Sequence, residues 1–366
     1  MNKRTIILAI IISIATYIIV SAPLNAVVNA EYNKNLINYQ DSSEIVMEKN
    51  SKRILHEKNA HDKRFMASTT KILTAIVVIE NCNLDQEVKI TRDTTNIEGS
   101  SIYLEEGEIL TVKELLYGLM LRSGNDCACA LAKHCSNTIE NFAQLMNNTA
   151  KKIGANNSNF VNPHGLHNDN HYTTAYDLAL ITCYALQNNV FREIVQTKSV
   201  TISNTKKDYK RVLINKNKML KEFDGATGVK TGYTKNAGRC LVSSAIKDGM
   251  EIVSVVLNCG PMFERSKELL NNTFNMYKLV NLYSSNNVID FIDNVDCTEK
   301  IPIHAKNDLI IPVNKKELDN VKIVYEYPSR LTKIVKKDEF IGFIKIFSEN
   351  NLLFQEKLYI MIDEKN

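Results

Sequence analysis

The sequence predicts an α+β fold: a sheet covered by helices, followed by a small all-β domain. Three observations carry that prediction. The run Ile72, Leu73, Ala75, Ile76, Val77, Val78, Ile79 holds no Gly or Pro and is apolar on all sides of a helical pattern, as in a helix buried mid-domain. Helical patterns then continue to about Gln187, and β-character dominates from Val200 onwards. After about Leu282 the texture changes to short alternating segments between polar turns. The 366 residues suggest two domains with ample sequence for a real core, and 44% hydrophobic with 23% charged residues is ordinary for a globular protein.

The first thirty residues form a separate element. Lys3 and Arg4 precede an apolar stretch from Ile6 to about Val20, and the segment ends in Val28-Asn29-Ala30. That is the charged, apolar and small-residue order of a secretory signal peptide over residues 1–30, and the apolar run is short for a retained membrane span. An exported protein is expected, with membrane contact at most peripheral, since no basic amphipathic helix stands near the C-terminus. The net charge of +4 falls by two once Lys3 and Arg4 are removed, too little to argue for nucleic acid or an anionic surface. All eight cysteines (82, 127, 129, 135, 183, 240, 259, 297) lie in the exported part. Most sit in apolar surroundings in a chain large enough to need no staples, so mostly buried thiols are expected.

Residues 31–281 read as one domain. Alternating runs at Glu44–Glu48 and Arg53–His56 predict a hairpin around Asn50-Ser51. The buried helix follows Ser68 and ends near Asn81. Thr111-Val112-Lys113-Glu114 is a capping-box pattern opening an apolar helix to about Leu121. Arg122-Ser123-Gly124-Asn125 interrupts it, and a helix of small residues resumes from Asp126 to Cys135. Thr138 begins another helix, closed by Gly154. Phe160 to Tyr172 reads as a loop, and Thr174 with Asp177 starts a helix to about Gln187. Strands are expected at Val200–Ser203, Val229–Thr234, Gly238–Ile246 and Glu251–Leu257, with a closing amphipathic helix from Phe263 to Val280. Residues 282–366 read as a β-rich C-terminal domain, with segments at Val288–Ile292, Lys300–His304, Leu309–Val313, Val321–Tyr327, Phe340–Phe347 and Gln355–Ile362.

The chemistry centres on Ser68-Thr69-Thr70-Lys71. Three residues along a helix bring Ser68 and Lys71 onto one face at the mouth of the buried segment. A lysine there is partly desolvated, which lowers its pKa and lets it act as a base for a neighbouring hydroxyl nucleophile. A capping serine beside a snorkelling lysine would give the same four letters, so the tetrad needs company. Ser123-Gly124-Asn125 supplies some, in a helix break whose polar side chains can face a cleft. Lys230-Thr231-Gly232, within the stretch from Asp224 to Thr234, supplies more: the glycines of that stretch permit a tight turn into a strand, and Gly232 allows close approach to the backbone. SxxK, SxN and KTG, in that order, are the set of penicillin-binding proteins and β-lactamases.

On these residues the sequence resembles the serine-type D-alanyl-D-alanine carboxypeptidases, the low-molecular-weight penicillin-binding proteins of bacterial cell walls. The likeness runs from about Ser43 to Val280. It takes in Met66-Ala67-Ser68-Thr69-Thr70-Lys71, Arg122-Ser123-Gly124-Asn125-Asp126, Asn162-Pro163-His164-Gly165-Leu166, Thr173 to Ala179, and Lys230-Thr231-Gly232-Tyr233-Thr234 with Ala237-Gly238-Arg239. The β-rich region is similar to the family's second domain in texture only. The resemblance implies a β-lactamase/transpeptidase-like fold, a helix-covered antiparallel sheet.

It also implies a mechanism. Ser68 attacks the carbonyl between the two terminal D-alanines of a peptidoglycan stem peptide, and Lys71 takes its proton. Ser123 passes that proton to the leaving amine, while Asn125 orients Lys71 and the substrate amide. Lys230 and Thr231, beside Gly232 and Tyr233, hold the terminal carboxylate. The backbone N–H groups of Ser68 and Tyr233 form the oxyanion hole. No cofactor is called for, and β-lactam antibiotics are expected as covalent inhibitors.

Other readings compete. A class A-like β-lactamase shares the triplets but uses a glutamate for deacylation, and the Phe160–Tyr172 loop offers none. A metal site on His164, His167, Asp169 and His171 has plausible ligand types at no standard spacing. A non-catalytic cell-wall-binding protein could keep the fold, although all three triplets are intact.

Overall fold

The structure, a computed structural model, describes residues 42–207, 210–285, 287–294, 300–331 and 336–361. The expected signal peptide and Cys297 lie outside them.

The hairpin β1 (Ser43–Glu48) and β2 (Ile54–Lys58) is turned at Asn50-Ser51. Two short pairs stand apart from that sheet: β3 (Glu87–Lys89) with β4 (Ile109–Thr111), and β5 (Ser199–Ile202) with β6 (Arg211–Ile214). The long strands β7 (Ala226–Thr234), β8 (Gly238–Lys247) and β9 (Met250–Leu257) complete an antiparallel five-stranded sheet in the order β2-β1-β9-β8-β7. Every residue of the central strand β9 is buried, because helices cover both faces. Val253, Val255 and Leu257 belong to the large helical core on one face. By the two-residue period of a strand, Ile252 and Val256 face the closing helix on the other.

The helical layer holds α1 (Lys71–Asn81), α2 (Val112–Leu121), α3 (Asn125–Ser136), α4 (Ile139–Ile153), α5 (Ala175–Ala185) and α6 (Asn189–Gln196). Sequence-readable caps start most of them. Thr111 and Glu114 form a reciprocal capping box on α2, and Thr138 and Thr174 accept from Asn141 N and Asp177 N. Gly154 ends α4 in the left-handed conformation. Residues 71–78 of α1 are buried without exception, so it is the central helix of the layer. Its start differs from expectation. Ser68 is not a cap but lies inside a 3₁₀ turn, Ala67–Thr70, that tightens the chain before α1 begins.

After the short α7 (Met219–Glu222), α8 (Met262–Met276) covers the far face of the sheet. Buried Glu44 reaches out from β1 to Arg265 of α8 at 2.7 Å. The closing helix stops at Met276 rather than Val280. Tyr277–Tyr283 instead forms strand β10, because β13 (Leu309–Asn314) offers it an antiparallel ladder. The remaining strands are β11 (Asp290–Asn294), β12 (Ile301–Ala305), β14 (Val321–Glu326), β15 (Arg330–Leu331), β16 (Phe340–Ser348) and β17 (Asn351–Ile360). They form a second sheet in the order β14-β16-β17-β12-β11-β15. It has its own core, which includes Ile303, Ile311, Ile344, Ile346, Leu358 and Ile360. From the loop before β2, Arg53 donates to the Pro312 carbonyl of β13 and to Glu317 just after that strand. Among the described residues seven cysteines are free thiols, five of them buried.

Candidate active site

The site is built where the 3₁₀ turn meets edge strand β7. Gly232 makes that contact possible: a Cβ there would lie 3.1 Å from Met66 O, Ser68 N and Thr69 N. The turn itself is tight, with Ala67 at a left-handed φ of +48°. Thr69 and Thr70 close it by donating their hydroxyls to Met66 O (2.6 Å) and Ala67 O (2.8 Å). Gly165 of the Phe160–Tyr172 loop backs the same turn. Its φ is +86°, and a Cβ would sit 1.9 Å from Ala67 O.

Lys71, the first residue of α1, has no exposed surface. Its Nζ lies 3.0 Å from Ser68 Oγ, 2.7 Å from Asn125 Oδ1 and 2.6 Å from His164 O. Burial lowers its pKa well below the usual lysine range, and the charge of Lys230 lowers it further. The two carbonyl oxygens can only accept, so they take two N–H bonds. In the neutral amine the remaining position is a lone pair facing Ser68 Oγ. That is the geometry of a base beside a nucleophile.

Asn125 is held for its part. Its backbone N donates to Ser100 O at 2.7 Å and its Nδ2 to Glu98 O at 2.5 Å, so Oδ1 turns toward Lys71. Asp126 beside it accepts from Ser101 Oγ and from the backbone N of Ile102 and Leu104, tying that loop to the start of α3. Ser123 is buried in the break between α2 and α3, at a φ of +63°. Lys71 Nζ bonds to Ser68, Asn125 and His164 rather than to Ser123.

On the other side, Lys230 is 1% exposed and donates to Thr231 O at 3.0 Å. Burial lowers its pKa to about 7, with the charge of Lys216 adding to the effect. Thr231 is half-buried, and Tyr233 stands exposed beyond Gly232 on the same edge strand. The structure therefore gathers Ser68, Lys71 and Asn125 into one hydrogen-bonded group, with Gly232 packed against the serine's turn.

The His164 carbonyl and Asp126 are the parts that reading the residues had not assigned. Both lie inside blocks visible in the sequence, Asn-Pro-His-Gly-Leu and Ser-Gly-Asn-Asp. A backbone acceptor, however, carries no side-chain signature. The histidines of the Phe160–Tyr172 loop have other partners. His171 bonds to Thr70 and Val161, His164 Nδ1 accepts from Leu166 N, and His167 contacts Asn236 and Asp169. Among the described residues no three His, Cys, Asp or Glu side chains converge as metal ligands.

A helix-covered antiparallel sheet with a half-buried serine beside a buried lysine at its edge strand defines a serine acyl-transfer enzyme. The comparisons with known proteins then give the family. Residues 29–260 match the family model of D-alanyl-D-alanine carboxypeptidase, and residues 277–365 match that of the penicillin-binding protein 5 C-terminal domain. The D-alanyl-D-alanine carboxypeptidase DacF of Bacillus subtilis is 29% identical over 89% of this chain and 86% of its own. DacC of Escherichia coli is 30% identical over 87% and 82%. The crystal structure of penicillin binding protein 5 from Haemophilus influenzae superposes with a TM-score of 0.78 at 27% identity, covering 88% of this chain and 96% of that one. The chain belongs to the D-alanyl-D-alanine carboxypeptidases, the serine-type low-molecular-weight penicillin-binding proteins.

Proposed function

We propose that this protein removes the terminal D-alanine from peptidoglycan stem peptides through an acyl-enzyme on Ser68. The observation that carries the reading is the 3.0 Å approach of a fully buried lysine amine to Ser68 Oγ, with its other hydrogen-bond directions taken by Asn125 and His164. Ser68 Oγ attacks the carbonyl carbon of the penultimate D-alanine while its proton passes to Lys71 Nζ. The N–H groups of Ser68 and Tyr233 stabilise the oxyanion. Collapse breaks the C–N bond, and the leaving amine takes its proton by way of Ser123. Asn125 steers the substrate amide, and Lys230 with Thr231 holds the terminal carboxylate, with Gly232 keeping the strand close to the nucleophile. Water then cleaves the ester and frees Ser68.

The work place is outside the cytoplasm, at the cell wall or the outer face of the membrane, with the segment before residue 31 as the export signal. No described helix is long and apolar enough to cross a membrane.

Release of D-alanine from a synthetic acyl-D-Ala-D-Ala peptide tests the assignment. The wild type should release it and Ser68→Ala should not; equal release by both would overturn the role of Ser68.

A further inference from the structure

His171 has no part in the reaction as derived so far, yet it ends a chain of hydrogen bonds that leads to the nucleophile. The ring is 2% exposed and packs edge-on against Phe160, centroids 5.7 Å apart. Val161 N lies 3.1 Å from its Nδ1, and Thr70 Oγ1 lies 2.8 Å from its Nε2. Thr70 Oγ1 in turn lies 2.8 Å from Ala67 O.

The direction of each bond is determined. A backbone N–H can only donate, so Nδ1 of the neutral ring is an acceptor and the ring proton sits on Nε2. Nε2–H must then donate to Thr70 Oγ1. The threonine hydroxyl is left with its own hydrogen for the Ala67 carbonyl, which can only accept. The ring is neutral at ordinary pH, because burial and then the charge of Lys71 lower its pKa to about 4.

The end of this relay matters because Ala67 C=O and Ser68 N–H belong to one planar peptide group. A hydrogen bond on that oxygen fixes the plane of the group. It also draws electron density from the nitrogen, making the N–H a stronger donor. The group needs holding, since Ala67 adopts a left-handed φ that alanine disfavours. We propose that His171 is a positioning residue for the oxyanion hole, acting through Thr70 to orient and polarise the Ala67–Ser68 peptide group. The inference rests on the reading that the Ser68 N–H stabilises the oxyanion.

A merely structural role would run through the other nitrogen, since Val161 N–H anchors the Phe160–Tyr172 loop to Nδ1. Two substitutions separate the possibilities. In His171→Asn, Oδ1 takes the place of Nδ1, keeping the acceptor for Val161 and losing the donor to Thr70. In His171→Gln, Nε2 takes the place of the ring Nε2 and keeps that donor. The measurement is the second-order rate of acylation by a fluorescent penicillin, with Tm alongside.

His171→Asn should acylate roughly 10- to 100-fold more slowly with Tm little changed, a smaller loss than removing an oxyanion donor outright. His171→Gln should recover most of the rate. Thr70→Val should match the loss, add nothing further in the His171→Asn background, and be rescued by Thr70→Ser. A boronic acid that mimics the tetrahedral intermediate should lose affinity in His171→Asn while the KM for peptide stays. Wild-type acylation in His171→Asn, or a better rate in Asn than in Gln, would overturn the proposal. If either histidine variant fails to fold, the Thr70→Val and Thr70→Ser pair decides alone: equal rates for the two overturn it. A wild type that penicillin does not acylate would instead refute the reading of Ser68, and this inference with it.

Discussion

Lys71 Nζ stands 3.0 Å from Ser68 Oγ, three residues before it in the chain. The pair is made by a 3₁₀ turn feeding a buried helix, and Asn125 and His164 leave the amine one free direction.

Lys71→Ala should therefore abolish acylation while the fold survives, since no other described base contacts Ser68. Lys71→Arg should fare almost as badly, because a guanidinium does not give up its proton. A loss of at least ~10²-fold in D-alanine release is expected for both. Near-normal release by either would remove Lys71 from its role as base.

The two buried lysines should set a bell-shaped pH profile with opposite requirements. Lys71 must be neutral to accept a proton, and its pKa lies well below the lysine norm, so it governs the acid limb. Lys230 must be charged to hold a carboxylate, and its pKa is lowered to about 7. As pH rises through about 7 Lys230 discharges, so kcat/KM for the peptide acid should fall there. A substrate ending in a carboxamide should start lower and lack the alkaline limb. An identical limb with both substrates would mean that Lys230 does not contact the carboxylate.

Gly165→Ala should damage the nucleophile from a neighbouring loop. The left-handed backbone alone costs about 1–3 kcal/mol, and the new methyl would drive into Ala67 O. Gly154→Ala is the control, because it shares a positive φ but a Cβ there meets nothing within 4 Å. Both should lower Tm, and only Gly165→Ala should also slow acylation. Equal acylation by the two would show that the turn tolerates displacement.

Acid stability should depend on Glu44. Its burial would raise the carboxyl pKa, but hydrogen bonds from His56, Arg265 and Ser42 outweigh that and hold it near about 2. A group lowered from 4.5 contributes its stability above 4.5 and loses it as pH falls toward 2. The contribution is ~3 kcal/mol at neutral pH. Glu44→Gln should lower Tm at pH 7 and flatten the dependence between those two values, which thermal melts across pH would show.

Penicillin should leave a persistent adduct on Ser68. Normal turnover expels D-alanine and clears space for water, whereas an opened lactam keeps its leaving group tethered. The Phe160–Tyr172 loop holds no glutamate to activate water, and its Asp169 is exposed and faces His167. A labelled band should survive denaturing electrophoresis and vanish in Ser68→Ala. Rapid repeated turnover without a band would favour a β-lactamase.

The order of elements was largely legible because its signals are local. Thr111 with Glu114, Thr138 and Gly154 bound their helices through bonds reaching no further than one turn. Alternation marked the β1–β2 hairpin and the C-terminal segments, and β-forming residues marked β7, β8 and β9, for the same reason. Helix α6 was missed although Asn188 caps it at Val190 N and Phe191 N, since eight residues are too few for a clear period. The limit of α8 was misread because the choice between helix and strand at Tyr277 lies with a partner strand more than thirty residues away.

By itself the sequence determined the class of the protein: three short motifs in order, each carrying the residue type its chemistry requires. The tertiary structure alone decided what those residues can do. Desolvation of Lys71 depends on everything packed around it, and its partners lie 54 and 93 residues along the chain. One of them is a backbone oxygen that any residue could supply. The same holds for the relay through His171 and Thr70, 101 residues apart, since a hydrogen bond between distant residues exists only once the chain between them has folded.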